Sequence, residues 1–169
     1  MLLFRWVQTI FICGVVAGCG FQPLYGTKLD NRIISDFSEI QVSPGKDRIG
    51  QLFTNELKYL LNPLRELHRP KYRLTSVIDE TTTSLAVKKT ALATRANLIA
   101  TVDYDLYVTE TGLRLTSGSN KITVGYNIFS AGYANIAAEK DARSRAVKEL
   151  AQDLRLQLGA FFKNNPQSP

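Results

Sequence analysis

The stretch ATVDYDLYVT, Ala100 to Thr109, decides how this chain folds. Ala100, Val102, Tyr104, Leu106 and Val108 alternate with Thr101, Asp103, Asp105, Tyr107 and Thr109. A strand points successive side chains to opposite faces, so a period of two gives one apolar and one polar face. That pattern belongs to an antiparallel sheet covered on one side only.

Reading outward, Glu110-Thr111-Gly112 is a turn, and Leu113 and Leu115 resume the alternation. Ile122, Val124, Tyr126 and Ile128 then alternate with Lys121, Thr123, Gly125 and Asn127. Upstream, Tyr72, Leu74, Ser76 and Ile78 alternate with Arg73, Thr75, Val77 and Asp79. Between them, residues 80–97 (ETTTSLAVKKTALATRAN) alternate weakly and fit either a long hairpin end or a loop. Over 47–62, Ile49, Leu52, Phe53, Leu57, Leu60 and Leu61 recur at helical spacing, with Asp47 as N-cap and Asn62-Pro63 as stop. Ile40 and Val42 predict a short strand over 38–43.

Residues 133–162 predict the closing helix, with Ile136, Ala142, Ala146, Val147, Leu150, Leu154, Leu158 and Phe161 as its buried stripe. Glu139/Arg143 and Asp141/Arg145 are i,i+4 pairs on its wet face. The order strand, helix, three strands, helix predicts an α+β two-layer sandwich, with two helices on one face of a mostly antiparallel four-stranded sheet.

The chain opens MLLFRWVQTIFICGVVAGC. One basic residue, an apolar run and a small-residue exit make a signal peptide over 1–18, too short for a spanning helix. Val16-Ala17-Gly18-Cys19 resembles a bacterial lipobox, in which the cysteine is lipidated and becomes the first mature residue. Cys13 leaves with the signal, so the mature chain has a single cysteine, which lipidation explains. Two or more acyl chains give stable anchoring. Residues 19–32 then read as a tether, 33–163 as one domain and 164–169 as a disordered tail.

Removing 18 of 169 residues leaves 151, enough for one domain with a sizeable core. The signal holds one of the 21 basic residues and none of the 15 acidic ones, leaving 20 against 15, a net +5. That modest excess favours an anionic partner weakly, and export makes nucleic acid the least favoured.

No catalytic constellation assembles from this sequence. His68 is the one histidine, in a connection before Pro70, and nothing around it supports a triad or a metal site. Asp103 and Asp105 share a strand face, where a polar surface is the plain reading and a cation or acid/base pair the sharper one. The basic residues show more pattern. Lys88, Lys89 and Arg95 are the sole charges between Glu80 and Asp103, and Arg114 and Lys121 follow with no acid between them. If 80–97 and 113–121 meet at one end of the sheet, they form a cationic edge suited to phosphates. Its plain counterpart is a hairpin whose lysines discourage edge-to-edge pairing.

CGFQPLYG, from Cys19 to Gly26, closely resembles the start of mature LptE proteins, the lipopolysaccharide (LPS)-assembly lipoproteins, in their alphaproteobacterial form. TRANLIATVDYDLY and YANIAAEKDARSRAVKELAQDLRLQL fit the same resemblance. It implies two helices on a four-stranded sheet, an outer-membrane lipoprotein facing the periplasm, and a complex with the LptD β-barrel as its plug. It further implies help in barrel assembly and LPS binding for delivery to the cell surface, with no enzymatic activity, no cofactor and no nucleic-acid partner. Cys19 is the lipidation site it carries over. Lys88, Lys89, Arg95 and Lys121 are the LPS-binding candidates. Gly20 stands where an Asp favours inner-membrane retention in enteric bacteria. Two other readings stay open: a periplasmic lipoprotein scaffold of another envelope complex without LPS contact, and a lipid-anchored hydrolase using Asp103 and Asp105.

Overall fold

The computed structural model describes residues 29–63, 69–87 and 93–165. The signal segment, Cys19, most of the expected tether and His68 lie outside them. So do Lys88, Lys89 and all but the first two residues of the expected tail. Seven elements follow in order: α1 (Leu29–Ser38), β1 (Ile40–Val42), α2 (Arg48–Leu61), β2 (Tyr72–Val87), β3 (Ala93–Val108), β4 (Arg114–Asn127) and α3 (Gly132–Asn164).

The sheet order is β1-β2-β3-β4. β1 runs parallel to β2, with Ile40 opposite Tyr72 and Val42 opposite Leu74. β2 and β3 are antiparallel from Tyr72↔Val108 out to Val87↔Ala93, with register shifts near Ser84 and Ala86. β3 and β4 are antiparallel from Arg95↔Asn127 to Tyr107↔Arg114. The turn between them holds Gly112 at φ +68, a conformation that glycine adopts without a Cβ clash.

The fold class is the one the period of two predicts: helices and a mixed, mostly antiparallel sheet of four strands. Leu74, Leu98, Ala100, Val102 and Leu106 are fully buried on one face of the sheet. Phe53 and Leu57 of α2 and Leu150, Leu154, Leu158 and Phe162 of α3 complete the core. The opposite face carries Arg73, Thr75, Asp79, Thr101, Asp103, Ser119 and Lys121, none of them buried. Asp47 caps α2 as expected, its Oδ1 accepting from Gly50 N at 2.7 Å. α2 ends at Leu61, just before Asn62-Pro63.

Three features depart from the sequence reading, and one alternative that it left open is decided. A third helix, α1, begins among the last residues assigned to the tether and packs through Ile33 and Phe37. Residues 80–87 and 93–97 are strand, so the long-hairpin alternative holds over the described residues. Ile136 and Leu52, expected inside, are exposed. The buried aromatic near the end of α3 is Phe162, with Phe161 only partly covered. Phe162 meets Phe37 of α1, Tyr72 of β2 and Phe161, with ring centroids 6.3, 5.1 and 5.4 Å away.

A polar chain fastens α3 to the sheet. Tyr104 Oη donates to Gln157 Oε1 at 2.8 Å, and Gln157 Nε2 donates to Asn120 Oδ1 at 2.7 Å. The first buried residue of α3 is Ala142, so Gly132–Asp141 projects past the core. Its N-cap, Ala131, makes no side-chain cap bond.

Candidate functional site

β3 carries Arg95 on the open face of the sheet, opposite Asn127 of β4 and Ala86 of β2. Lys121 is exposed on that face opposite Thr101. Six residues of β3 separate Thr101 from Arg95, about 20 Å along the strand. Arg114 stands farther still, opposite Tyr107, and pairs with Asp105 at 3.3 Å. The antiparallel register therefore sends 113–121 away from the 80–97 end, and the described cations of the expected edge do not converge there.

Arg95 meets a different partner. Its Nη2 lies 3.4 Å from where a Cβ on Gly125 would stand. From the helix side, Arg145 Nη2 donates to Gly125 O at 3.4 Å while its Nε holds Asp141 Oδ2 at 2.9 Å. Two guanidinium groups thus flank one glycine at the end of β4. They border a hollow of about 300 Å³ that also takes in Tyr126, Asn127, Phe129, Ala138 and Asp141. With Asp141 offsetting one charge, a single positive charge is left over. The i,i+4 pairing of Arg145 was legible in the sequence; its approach to β4 comes only from the packing of α3. Asn135 positions Phe129 by donating from Nδ2 to Phe129 O at 2.7 Å and accepting the Phe129 N–H at its Oδ1.

Arg143, two residues before Arg145, braces α3 against β2. Its Nε and Nη2 donate to Glu80 at 2.7 and 2.8 Å, and Nη2 also reaches Glu139 at 2.8 Å. Hydrogen bonding to Glu80 is the main cause that holds the Arg143 guanidinium above its ordinary value. Asp105 is engaged by Arg114, and Asp103 is exposed opposite Val77 and Ser119. Among the described residues, no three His, Cys, Asp or Glu side chains gather as metal ligands do.

This arrangement of exposed cations and aromatics on a rigid sandwich has the chemistry of a binding module for an anionic partner. The LptE family model (lipopolysaccharide-assembly) matches residues 37–158, and the chain belongs to that family of non-enzymatic LPS-assembly lipoproteins. A lipoprotein of Caulobacter crescentus has a similar crystal structure: 26% identity, TM-score 0.65, covering 79% of this chain and 97% of that one. Rare lipoprotein B of Shewanella oneidensis shares the fold at 15% identity, TM-score 0.55, covering 76% and 98%. Lipoprotein B of Nitrosomonas europaea does so at 16% identity, TM-score 0.57, covering 73% and 83%. Among curated proteins the sequence finds no match.

Proposed function

We propose that this LPS-assembly lipoprotein is anchored in the outer membrane through lipidated Cys19, facing the periplasm. There it complexes with the LptD β-barrel as a plug, assists barrel assembly and binds LPS for delivery to the surface. The observation that carries the LPS contact is the pair of guanidinium groups, Arg95 and Arg145, flanking Gly125 beside Phe129. Guanidinium forks pair with phosphate oxygens, and aromatic side chains accept the apolar part of an amphiphile. Lys88, Lys89 and Lys121 are additional phosphate contacts in this reading, competing with the divalent cations that hold LPS aggregates together. The open, Thr/Ser-rich sheet face suits the polar lumen wall of a barrel.

The test has two arms. Tagged full-length chain is recovered from outer membranes of its native host, and a large β-barrel at near-equal amount is the expected companion. Recovery without a barrel, under detergent conditions that keep other barrel complexes intact, moves the assignment to a scaffold of another envelope complex. In the second arm, Lys88→Glu, Lys89→Glu and Arg95→Glu are combined, and separately Arg95→Glu with Arg145→Glu. Both variants should lose most LPS binding while still recovering the barrel. Folded variants with undiminished LPS binding remove the phosphate role.

A further inference from the structure

A second concave surface lies between α2 and the projecting part of α3. It encloses about 340 Å³, within the range of small-molecule sites. Its apolar lining is Leu52, Ile136 and Val147, and its cationic lining includes Arg48, Lys140 and Lys148. Leu52 is 42% exposed and Ile136 67%, although both fall on apolar helical positions. Beyond Ile136 the surface continues to Tyr133, which is 86% exposed.

The charges on this groove are unevenly satisfied. Arg143 is held by Glu80 and Glu139, a fixed and locally neutralised wall. Arg48, Lys140 and Lys148 form no ion pair among the described residues, and neither does the one further acid of the lining, Glu56, so the groove keeps an excess of two positive charges. Among the described residues, no buried polar atom without a partner lines the groove. An apolar floor with free cations matches a flexible apolar chain attached to an anionic end. Long basic side chains satisfy both parts, with methylene stems along the chain and charged tips at the head.

We infer that the α2–α3 groove seats an acyl chain of the LPS molecule bound by this protein, with Arg48, Lys140 and Lys148 facing its anionic part. This rests on the LPS-binding reading above and adds a second contact area, separate from the Arg95/Arg145 pair. The two areas are linked along the exposed side of α3, since a further hollow spans Tyr133, Ile136, Lys140 and Asp141.

The test is photo-crosslinking in the native host with the full chain. A benzophenone amino acid is placed at Leu52 or Ile136 in the groove, at Tyr59 on the exposed outer side of α2, or at Asn127, which lines the Arg95/Arg145 hollow and leaves both guanidinium groups in place. Adducts are read with an antibody to LPS and by mass. LPS adducts at Leu52 and Ile136 at least tenfold above Tyr59 are expected. Lys140→Glu with Lys148→Glu should cut the Leu52 adduct at least fivefold and spare the one at Asn127. A protein or phospholipid adduct in the groove overturns the inference. So does a groove yield no greater than at Tyr59, or a yield unmoved by the charge reversals, while LPS still crosslinks at Asn127. Absence of LPS adducts at every position, Asn127 included, removes the LPS-binding reading itself.

Discussion

Phe162→Ala should be among the most costly single substitutions in this chain. The side chain is 1% exposed and touches three aromatic rings on three elements. Truncating a buried Phe costs about 3–5 kcal/mol through lost transfer energy and the cavity left behind. Each lost ring pair is worth ~0.5–1.5 kcal/mol beyond area burial, which places this site toward the upper end, at about 4–5 kcal/mol. Phe161, partly exposed at the rim, should cost about 1–2 kcal/mol. The assay is urea denaturation followed by far-UV circular dichroism, on both variants and the parent. With a slope of about 2 kcal/mol per M, Phe162→Ala should lower the midpoint by ~2 M and Phe161→Ala by less than ~1 M. A Phe161→Ala shift equal to or larger than that of Phe162→Ala would refute the packing described for the end of α3.

Three further outcomes are expected. Asp47→Ala removes the cap on Gly50 N and should cost about 1 kcal/mol, measured by the same denaturation; Asp47→Asn should recover most of it. Gly118→Ala places a Cβ 2.7–2.9 Å from the Tyr104 ring and hydroxyl, so the ring must leave its contact with Gln157. A loss of about 1–3 kcal/mol should follow, and a neutral result would mean that the ring yields freely. Burial holds the Tyr72 and Tyr104 phenols above their ordinary value. A raised folded pKa gives stability that is full below the unfolded value, about pH 10, and is lost as pH rises through the folded one. The denaturation midpoint should therefore fall above about pH 10, and Tyr104→Phe should blunt that fall. An alkaline slope identical in parent and variant would show that Tyr104 ionises in the folded state without cost.

The strands and the main helices were legible because each has one buried and one wet face, the condition under which periodicity appears in a sequence. Ala100 to Val108 alternates because the even-numbered residues meet the helices and the odd-numbered ones meet solvent. Residues 79–84 of β2 are exposed on both faces, so nothing selects an alternating pattern there, and the sequence reads as ambiguous. α1 packs through two anchors one turn apart, Ile33 and Phe37, too few to declare a helix among polar neighbours. Ile136 and Leu52 carry apolar side chains at core spacing, and nothing in the sequence tells a core position from an exposed groove position. The candidate site was half legible. Arg95 stood out by charge pattern, whereas its meeting with Arg145 depends on where a distant helix lands, and the register that separates Lys121 from Arg95 is tertiary information.

The part of α3 from Gly132 to Asp141 is about 15 Å of helix that starts without a side-chain cap and buries no residue. Such a segment opens at a small fraction of the free energy of global unfolding. Both hollows are partly walled by it, so a ligand there spends some of its binding energy on quieting the segment. Occupancy then weakens and release quickens relative to a site of the same contacts on the buried half of the helix. Such a protein is suited to passing a molecule onward, not to storing it.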